Sequence, residues 1–403
     1  MKALQLQTRK QPSTDQTLKF DLDNKPIGEL VKLSILRDLC NLNWQIGFND
    51  GKVEVFPPET YDKEVIKDAM SIKRNEILTV NNQWIGKNLK LARENLADGK
   101  YVLKSEKIKP KIEVCKTAKQ FRLFRMFRYY WSSPYSEYVG RRIKLIIRDH
   151  GLKNKPVIGI AALGSPIIHI PERDERIGWN KEIRTRNLIY TMDAYVVGAL
   201  PPYNYLLGGK LVSYILASNE VRSIYKRKYR DQVTLIYKRK ANDLVGMFTT
   251  SLYGKSSQYN RIKYDGRLLY QPFGSTKGYG TLHLTEFTVE KMKELLVSKG
   301  IGLDYKFGDG PSWRMRLIRT VGDLLGFDAN FLLKHSFRRN IYYVPLAENS
   351  IEFLNGIERK PIYYNWPMKN LTNYWHERWF ENRKKNLRVV HNVLQFKARN
   401  FEI

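Results

Sequence analysis

Cations interleaved with aromatic rings are the chemistry this sequence carries most densely. In RSIYKRKYRDQ, Arg222, Lys226, Arg227, Lys228 and Arg230 surround Tyr225 and Tyr229, with only Asp231 opposing them. Lys and Arg neutralise phosphates while tyrosines stack on bases or sugars, a combination suited to single strands or distorted duplex. The plainer alternative is a solvated helix end whose tyrosines pack sideways. In FGSTKGYG three glycines can turn successive N–H groups toward an anion, with Lys277 as a point charge, or simply form a loop between strands. WRMRLIRT sets Arg314, Arg316 and Arg319 close to Trp313, HSFRRN adds Arg338 and Arg339, and ERWFENRKKNLR adds Arg383, Lys384 and Lys385. These clusters read as phosphate contacts or as a docking surface for an acidic partner.

Catalytic sets are harder to find. Asp149, Glu172, Asp174 and Asp193 are the carboxylates that a metal-dependent nuclease would have to bring together, but nothing in their spacing supports convergence. RDERIGWNKEIRTRN reads more simply as a salt-bridged segment. His283, His335 and His376 have no Ser or Cys nucleophile to pair with, so a structural role is the simpler reading. The two cysteines, Cys40 and Cys115, lie in no Cys-x-x-Cys or Cys/His spacing, which argues against a cysteine-built zinc site. No metal and no cofactor are expected.

The whole chain shares the basic character of its clusters. Over 403 residues, 70 Lys and Arg face 40 Asp and Glu, a formal net charge of +30. Such an excess repels itself in the compact state, which a bound polyanion relieves, and DNA is the partner it favours. An anionic membrane fits less well, because the cations alternate with Tyr, Trp and Phe instead of lining a Leu-rich amphipathic helix. A hydrophobic content of 42% predicts a chain that is mostly folded. The opening MKALQLQTRK lacks the apolar run of a signal peptide, and with the sparse cysteines this predicts a cytoplasmic protein. A homo-oligomer is compatible with the sequence.

The elements that must position these residues predict an α+β fold in three segments. Residues 1–105 read as a helical N-terminal module, with an amphipathic face through Leu30, Leu33, Ile35, Leu36, Leu39 and Leu42 and a helix halted at Gly99. Residues 111–290 read as a central domain with a mixed sheet. Its strands include RRIKLIIRDH, KPVIGIAALGS, DAYVVGAL, DQVTLIYKRK and LVGMFTTSLY, and RLLYQPFGS pairs with YGTLHLTEF. Residues 291–403 form a basic α/β region whose final stretch, NYWHERWFENRKKNLRVVHNVLQFKAR, shows no clear apolar face.

The order of central elements resembles the GCN5-related acetyltransferase (GNAT) fold. That resemblance makes GALPPYNYLLGGK the junction where an acyl-CoA pyrophosphate would rest on helix N–H groups. Pro201 and Pro202 supply no N–H there, so a tight proline turn is the simpler reading. A GNAT-type acyltransferase and a metal-dependent nuclease stand as the enzymatic alternatives to a binding protein.

Several phrases together carry a more specific likeness: LFRMFRYYWSSPYSEYVGRR, RDERIGWN, MDAYVVGALPPYNYLLGGKLV, TTSLYGKSSQYNR, PFGSTKGYG and WRMRLIR. Across about residues 115–355 the chain resembles the Druantia protein A family of bacterial anti-phage defence. The resemblance implies work within a multi-component system that includes a very large helicase-like protein. It implies no particular set of catalytic residues.

Overall fold

The computed structural model describes residues 21–49, 51–132, 138, 140–233, 238–302 and 311–403. In its first part, α1 (Ile27–Cys40) leads into a hairpin of β1 (Gln45–Asn49) and β2 (Lys52–Phe56), followed by α2 (Lys63–Val80), α3 (Asn82–Glu94) and α4 (Gly99–Lys104). Val31, Ile35 and Leu39 form the buried stripe of α1. Of the expected face, Ile35, Leu39 and Leu42 are buried and Leu36 packs beside them, whereas Leu30 and Leu33 are only partly buried because Ser34 and Asp38 also face inward. The Asp38 Oδ2 accepts the Thr285 N–H and the Thr285 hydroxyl, each at 2.8 Å, and the Thr288 hydroxyl at 2.6 Å. Gly99 opens α4 and does not close α3, which ends at Glu94.

The central sheet is built from β-branched runs. In chain order come β3 (Pro110–Val114), α5 (Ala118–Tyr129), β4 (Arg142–Asp149), β5 (Val157–Gly164), α6 (Pro171–Ile177), α7 (Lys181–Asn187), β6 (Thr191–Ala199), α8 (Gly208–Leu216), α9 (Asn219–Tyr229) and β7 (Gly246–Ser251). There follow β8 (Lys263–Tyr264), β9 (Arg267–Leu268), β10 (Gln271–Ser275), α10 (Glu286–Ser298), α11 (Pro311–Leu325), α12 (Ala329–Leu333), β11 (Asn340–Pro345) and α13 (Ser350–Leu354). The last elements are α14 (Met368–Trp375), a π-helical turn His376–Phe380, α15 (Glu381–Lys384) and α16 (Leu387–Gln395). Seven strands lie in the order β10-β11-β7-β6-β5-β4-β3, and every neighbouring pair is antiparallel except β6 and β7. That parallel step requires a crossover, which α8 and α9 provide. β5 is buried along its whole length because helices cover both its faces, which is why VIGIAALG carries no polar residue.

Two strand expectations change. Residues 279–287 run as turns into α10, and β10 pairs instead with β11, sixty-odd residues later. Within 231–240, residues 234–237 lie outside the described residues, and the remainder supplies one isolated bridge, Val233 to Lys240, in place of a sheet strand.

Hydrophobic burial cuts across the segments 1–105, 111–290 and 291–403. One core joins Val31, Ile35, Leu39 and Met70 to Val289, Met292, Ile318 and Phe337. β11 belongs to the central sheet, and Trp375, Phe380 and Val393 are buried with Tyr214 in the central core. The final basic stretch therefore has an apolar face after all. The π turn adds a residue to the helical period, so the 3.6-residue spacing breaks between Trp375 and Phe380.

Candidate nucleic-acid interface

Ser218 caps α9 by accepting the Val221 N–H at 3.4 Å, and Val221, Tyr225 and Tyr229 follow at four-residue intervals as its buried stripe. Tyr225 is 0% and Tyr229 2% exposed. The guanidinium of Arg141 donates to the Tyr225 hydroxyl and, at 2.7 and 3.2 Å, to the carbonyls of Ile189 and Thr191. Burial pushes the Tyr225 phenol up to about 12. The Tyr229 hydroxyl donates to the Arg142 carbonyl at 3.1 Å, and Lys228 Nζ donates to the same oxygen at 2.7 Å. Base stacking therefore does not fall to these two rings; they bolt the helix to the sheet.

The cations of α9 divide accordingly. Arg222 is half-buried, donating to the Tyr364 carbonyl at 3.1 Å with its guanidinium 4.2 Å from the Tyr363 ring centre. Arg230 pairs with Asp231 at 3.0 Å. Lys226 and Arg227 are exposed and make no ion pair among the described residues. Lys228 shares its end of the helix with the exposed start of β4 at Arg142. Its pKa is lowered, first by burial and then by that arginine.

The glycine-rich loop is less open than its sequence suggests. The Thr276 N–H donates to the Arg339 carbonyl at 2.9 Å and the Gly280 N–H to the Leu333 carbonyl at 2.8 Å, so these donors are spent on the protein itself. Gly278 has φ of +71°, and a Cβ there would stand 2.5 Å from the Phe337 nitrogen, so close docking explains this glycine. Lys277 and Arg338 nevertheless emerge exposed from these paired backbones. Beside them Arg319 donates to the Tyr279 hydroxyl at 2.8 Å. Tyr279 is 51% exposed, and an aromatic set between glycines next to Lys277 was its sequence signal. Arg316 is exposed on the same helix, α11, whereas Arg314 is held by Glu286 through two bonds of 2.8 and 2.6 Å. Arg339 is half-buried, its guanidinium beside Tyr138, and burial lowers its pKa.

A third group sits on α15. Arg383 Nε donates to the Tyr205 carbonyl at 3.1 Å, Lys384 lies 5.1 Å from the Phe380 ring centre, and Lys385 is exposed. The predicted cations thus form separate patches on α9, on the loop beside α11 and on α15, with several members tied into the fold.

The candidate carboxylates do not converge. Asp149 ends β4, where it accepts the Tyr203 hydroxyl at 2.9 Å and the Lys109 and Gly151 N–H groups at 3.0 and 2.8 Å. Asp193 pairs with Gly164, which pairs with Arg142 at the other end of β4. Seven residues of extended chain separate those ends by about 23 Å at about 3.3 Å per residue. Asp174 is buried and saturated: the fully buried Arg173 donates at 2.9 and 2.6 Å, Arg184 at 2.9 Å, and His169 Nδ1 lies at 3.0 Å. RDERIGW is thus an ion-paired joint, anchored further by the Trp179 Nε1 bond of 2.8 Å to the Leu354 carbonyl. Among the described residues, no group of three His, Cys, Asp or Glu side chains is placed to hold a metal ion.

The proline junction leads to a filled gap. β6 and β7 pair only between Thr191–Asp193 and Gly246–Phe248, then part. Gln258 enters the opening, donating to the Val197 carbonyl at 3.1 Å and to the Ser213 hydroxyl at 3.2 Å. Below it the ammonium of the buried Lys210 donates to the carbonyls of Ser257, Gln258 and Asn260 at 2.6, 3.3 and 3.1 Å. Burial lowers its pKa to about 8.

Fold and surface together define an α+β protein whose exposed chemistry is cationic and aromatic. The chain belongs to the Druantia protein DruA family, whose model matches residues 60–356. A relative named Druantia protein DruA, from Escherichia coli (strain UMEA 4076-1), is 36% identical over 303 residues, covering 74% of this chain and 74% of its own length. The protein is therefore a component of a Druantia anti-phage system. No solved structure matches the chain. Among the described residues no helix is long and apolar enough to cross a membrane.

Proposed function

We propose that this protein is the DNA-binding component of its Druantia system, acting in the cytoplasm beside the other Druantia proteins, a large helicase-like one among them. The observation that carries the reading is the pair Lys226 and Arg227, exposed and without an ion pair among the described residues, on a helix whose neighbouring tyrosines fix it to the sheet. Cations held on a rigid element and left without acidic partners are preorganised for phosphate. Lys277, Arg338 and Lys385 extend the same chemistry to the other patches.

The seven-strand order with one parallel pair supports a GNAT-like descent for the central sheet. Gln258 bonds to the Val197 carbonyl of β6 past the point where β6 and β7 part, and Pro201 and Pro202 supply no N–H donors after that strand. Both features favour binding over acyl transfer. A titration against single-stranded, double-stranded and forked DNA at several salt concentrations tests the proposal. Affinity that falls with salt is expected, and absence of binding at low salt would overturn it.

A further inference from the structure

A set of arginines and aromatic rings lies between the α9 patch and the α15 patch. It begins with Arg222 over Tyr363, one helical turn from Lys226. Tyr364 then stacks on the buried Trp366 with centres 4.2 Å apart and planes 7° from parallel, and the exposed Arg267, paired with Glu348 at 3.4 Å, covers Tyr364 at 5.2 Å. Tyr264, on the β8–β9 hairpin, meets Trp366 edge-on at 6.3 Å and Tyr374 at 5.4 Å. Tyr374, Glu377, Arg378, Trp379 and Asn382, all from the helical run 374–382, border a wide-open, shallow cleft of about 450 Å³.

The π turn at His376–Phe380 turns Trp379 toward this cleft while Trp375 and Phe380 stay buried. Lys210 Nζ lies 4.7 Å from the Trp379 ring centre, Trp379 Nε1 donates to the Tyr214 hydroxyl at 3.4 Å, and the exposed Arg378 sits 5.2 Å from the ring. The ring is thus held in place by groups that belong to the core, with a cation at its open side.

We propose that this set is a single-stranded DNA track, with the cleft at its end taking one base against Tyr374 and Trp379. The inference rests on the DNA-binding reading and adds to it the strandedness and the site. Every base has a π face that such rings accept, and each arginine already lying on a ring can share it with a base while turning an N–H toward phosphate. The open cleft leaves a splayed base access to the rings, and Asn382 and Glu377 offer polar partners to its edge. A duplex keeps its bases stacked inside and gains nothing from these rings.

The test titrates a labelled single strand of about 12 nucleotides, within the site sizes of such platforms, and a duplex of the same sequence against the full chain. Trp379→Ala should weaken single-strand binding between about 5-fold and about 150-fold and leave duplex binding within about 2-fold. Trp379→Phe, which keeps a ring, should recover most of the loss. Arg378→Ala, an exposed change that spares the fold, should weaken single-strand binding several-fold and serves if Trp379→Ala melts early. Unchanged single-strand affinity, or equal losses for both forms in a folded variant, would overturn the track while sparing the DNA reading. Wild-type protein that binds neither form would remove both.

Discussion

Replacing Lys226 and Arg227 together by Ala should remove two phosphate contacts without touching the fold. Both side chains are exposed and free of ion pairs among the described residues, while Tyr225 and Tyr229 hold α9. Surface changes of this kind shift stability by no more than about 0.5 kcal/mol. Each neutralised phosphate of duplex DNA releases about 0.9 of a counterion, so its contribution to affinity scales roughly as the inverse of salt concentration to that power. Two contacts then amount to a loss of about 60-fold at 0.1 M salt and about 20-fold at 0.2 M, and the slope of log affinity against log salt should shrink by about 1.8. Fluorescence anisotropy with a labelled duplex across that salt range measures both. A wild-type to variant ratio that does not change with salt would refute the reasoning, since a lost phosphate contact must carry its counterions with it.

Asp174→Asn leaves the fully buried Arg173 without its counter-charge and should cost about 3–5 kcal/mol, seen as a large drop in melting temperature. Trp375→Ala empties a site that is 0% exposed and breaks the 3.1 Å bond to the Leu207 carbonyl, with a cost of about 3–5 kcal/mol; a drop of under about 1 kcal/mol would contradict the packing described. Burial pushes the Asp193 carboxyl from 3.8 up to about 7. Between those values the folded state keeps a proton that the unfolded state has released, so stability should fall as pH rises from about 4 to about 7. Asp193→Asn should flatten that decline in urea titrations, and parallel curves would contradict it. Acetyl-CoA should leave the melting temperature unmoved, because Gln258 already bonds to the β6 carbonyl of Val197 beside the split from β7, and Pro201 and Pro202 offer its pyrophosphate no N–H.

Much of the scaffold could be read from the chain alone. The uninterrupted apolar run VIGIAALG specified a strand buried on both faces, and Pro201 and Pro202 marked where β6 stops. The phrases from LFRMFRYYW to WRMRLIR carried the family, and the charge of +30 pointed to a polyanion. Local pattern could not tell which polar residues face inward. Asp38 faces inward beside Ile35 and Leu39 because the hydroxyls and N–H that satisfy it lie at the start of α10, some 250 residues away. Tyr225 and Tyr229 looked like stacking rings beside five cations, but their four-residue spacing is also that of a buried stripe, and only the position of Arg141 and Arg142 at the start of β4 decided between the two. For the same reason β11 found its place between β7 and β10, and Tyr264, Tyr364 and Tyr374 came together around Trp366. A sequence fixes the chemistry each residue carries and its local period, whereas neighbours across the sheet and across hundreds of residues determine which of that chemistry is spent inside and which is left at the surface.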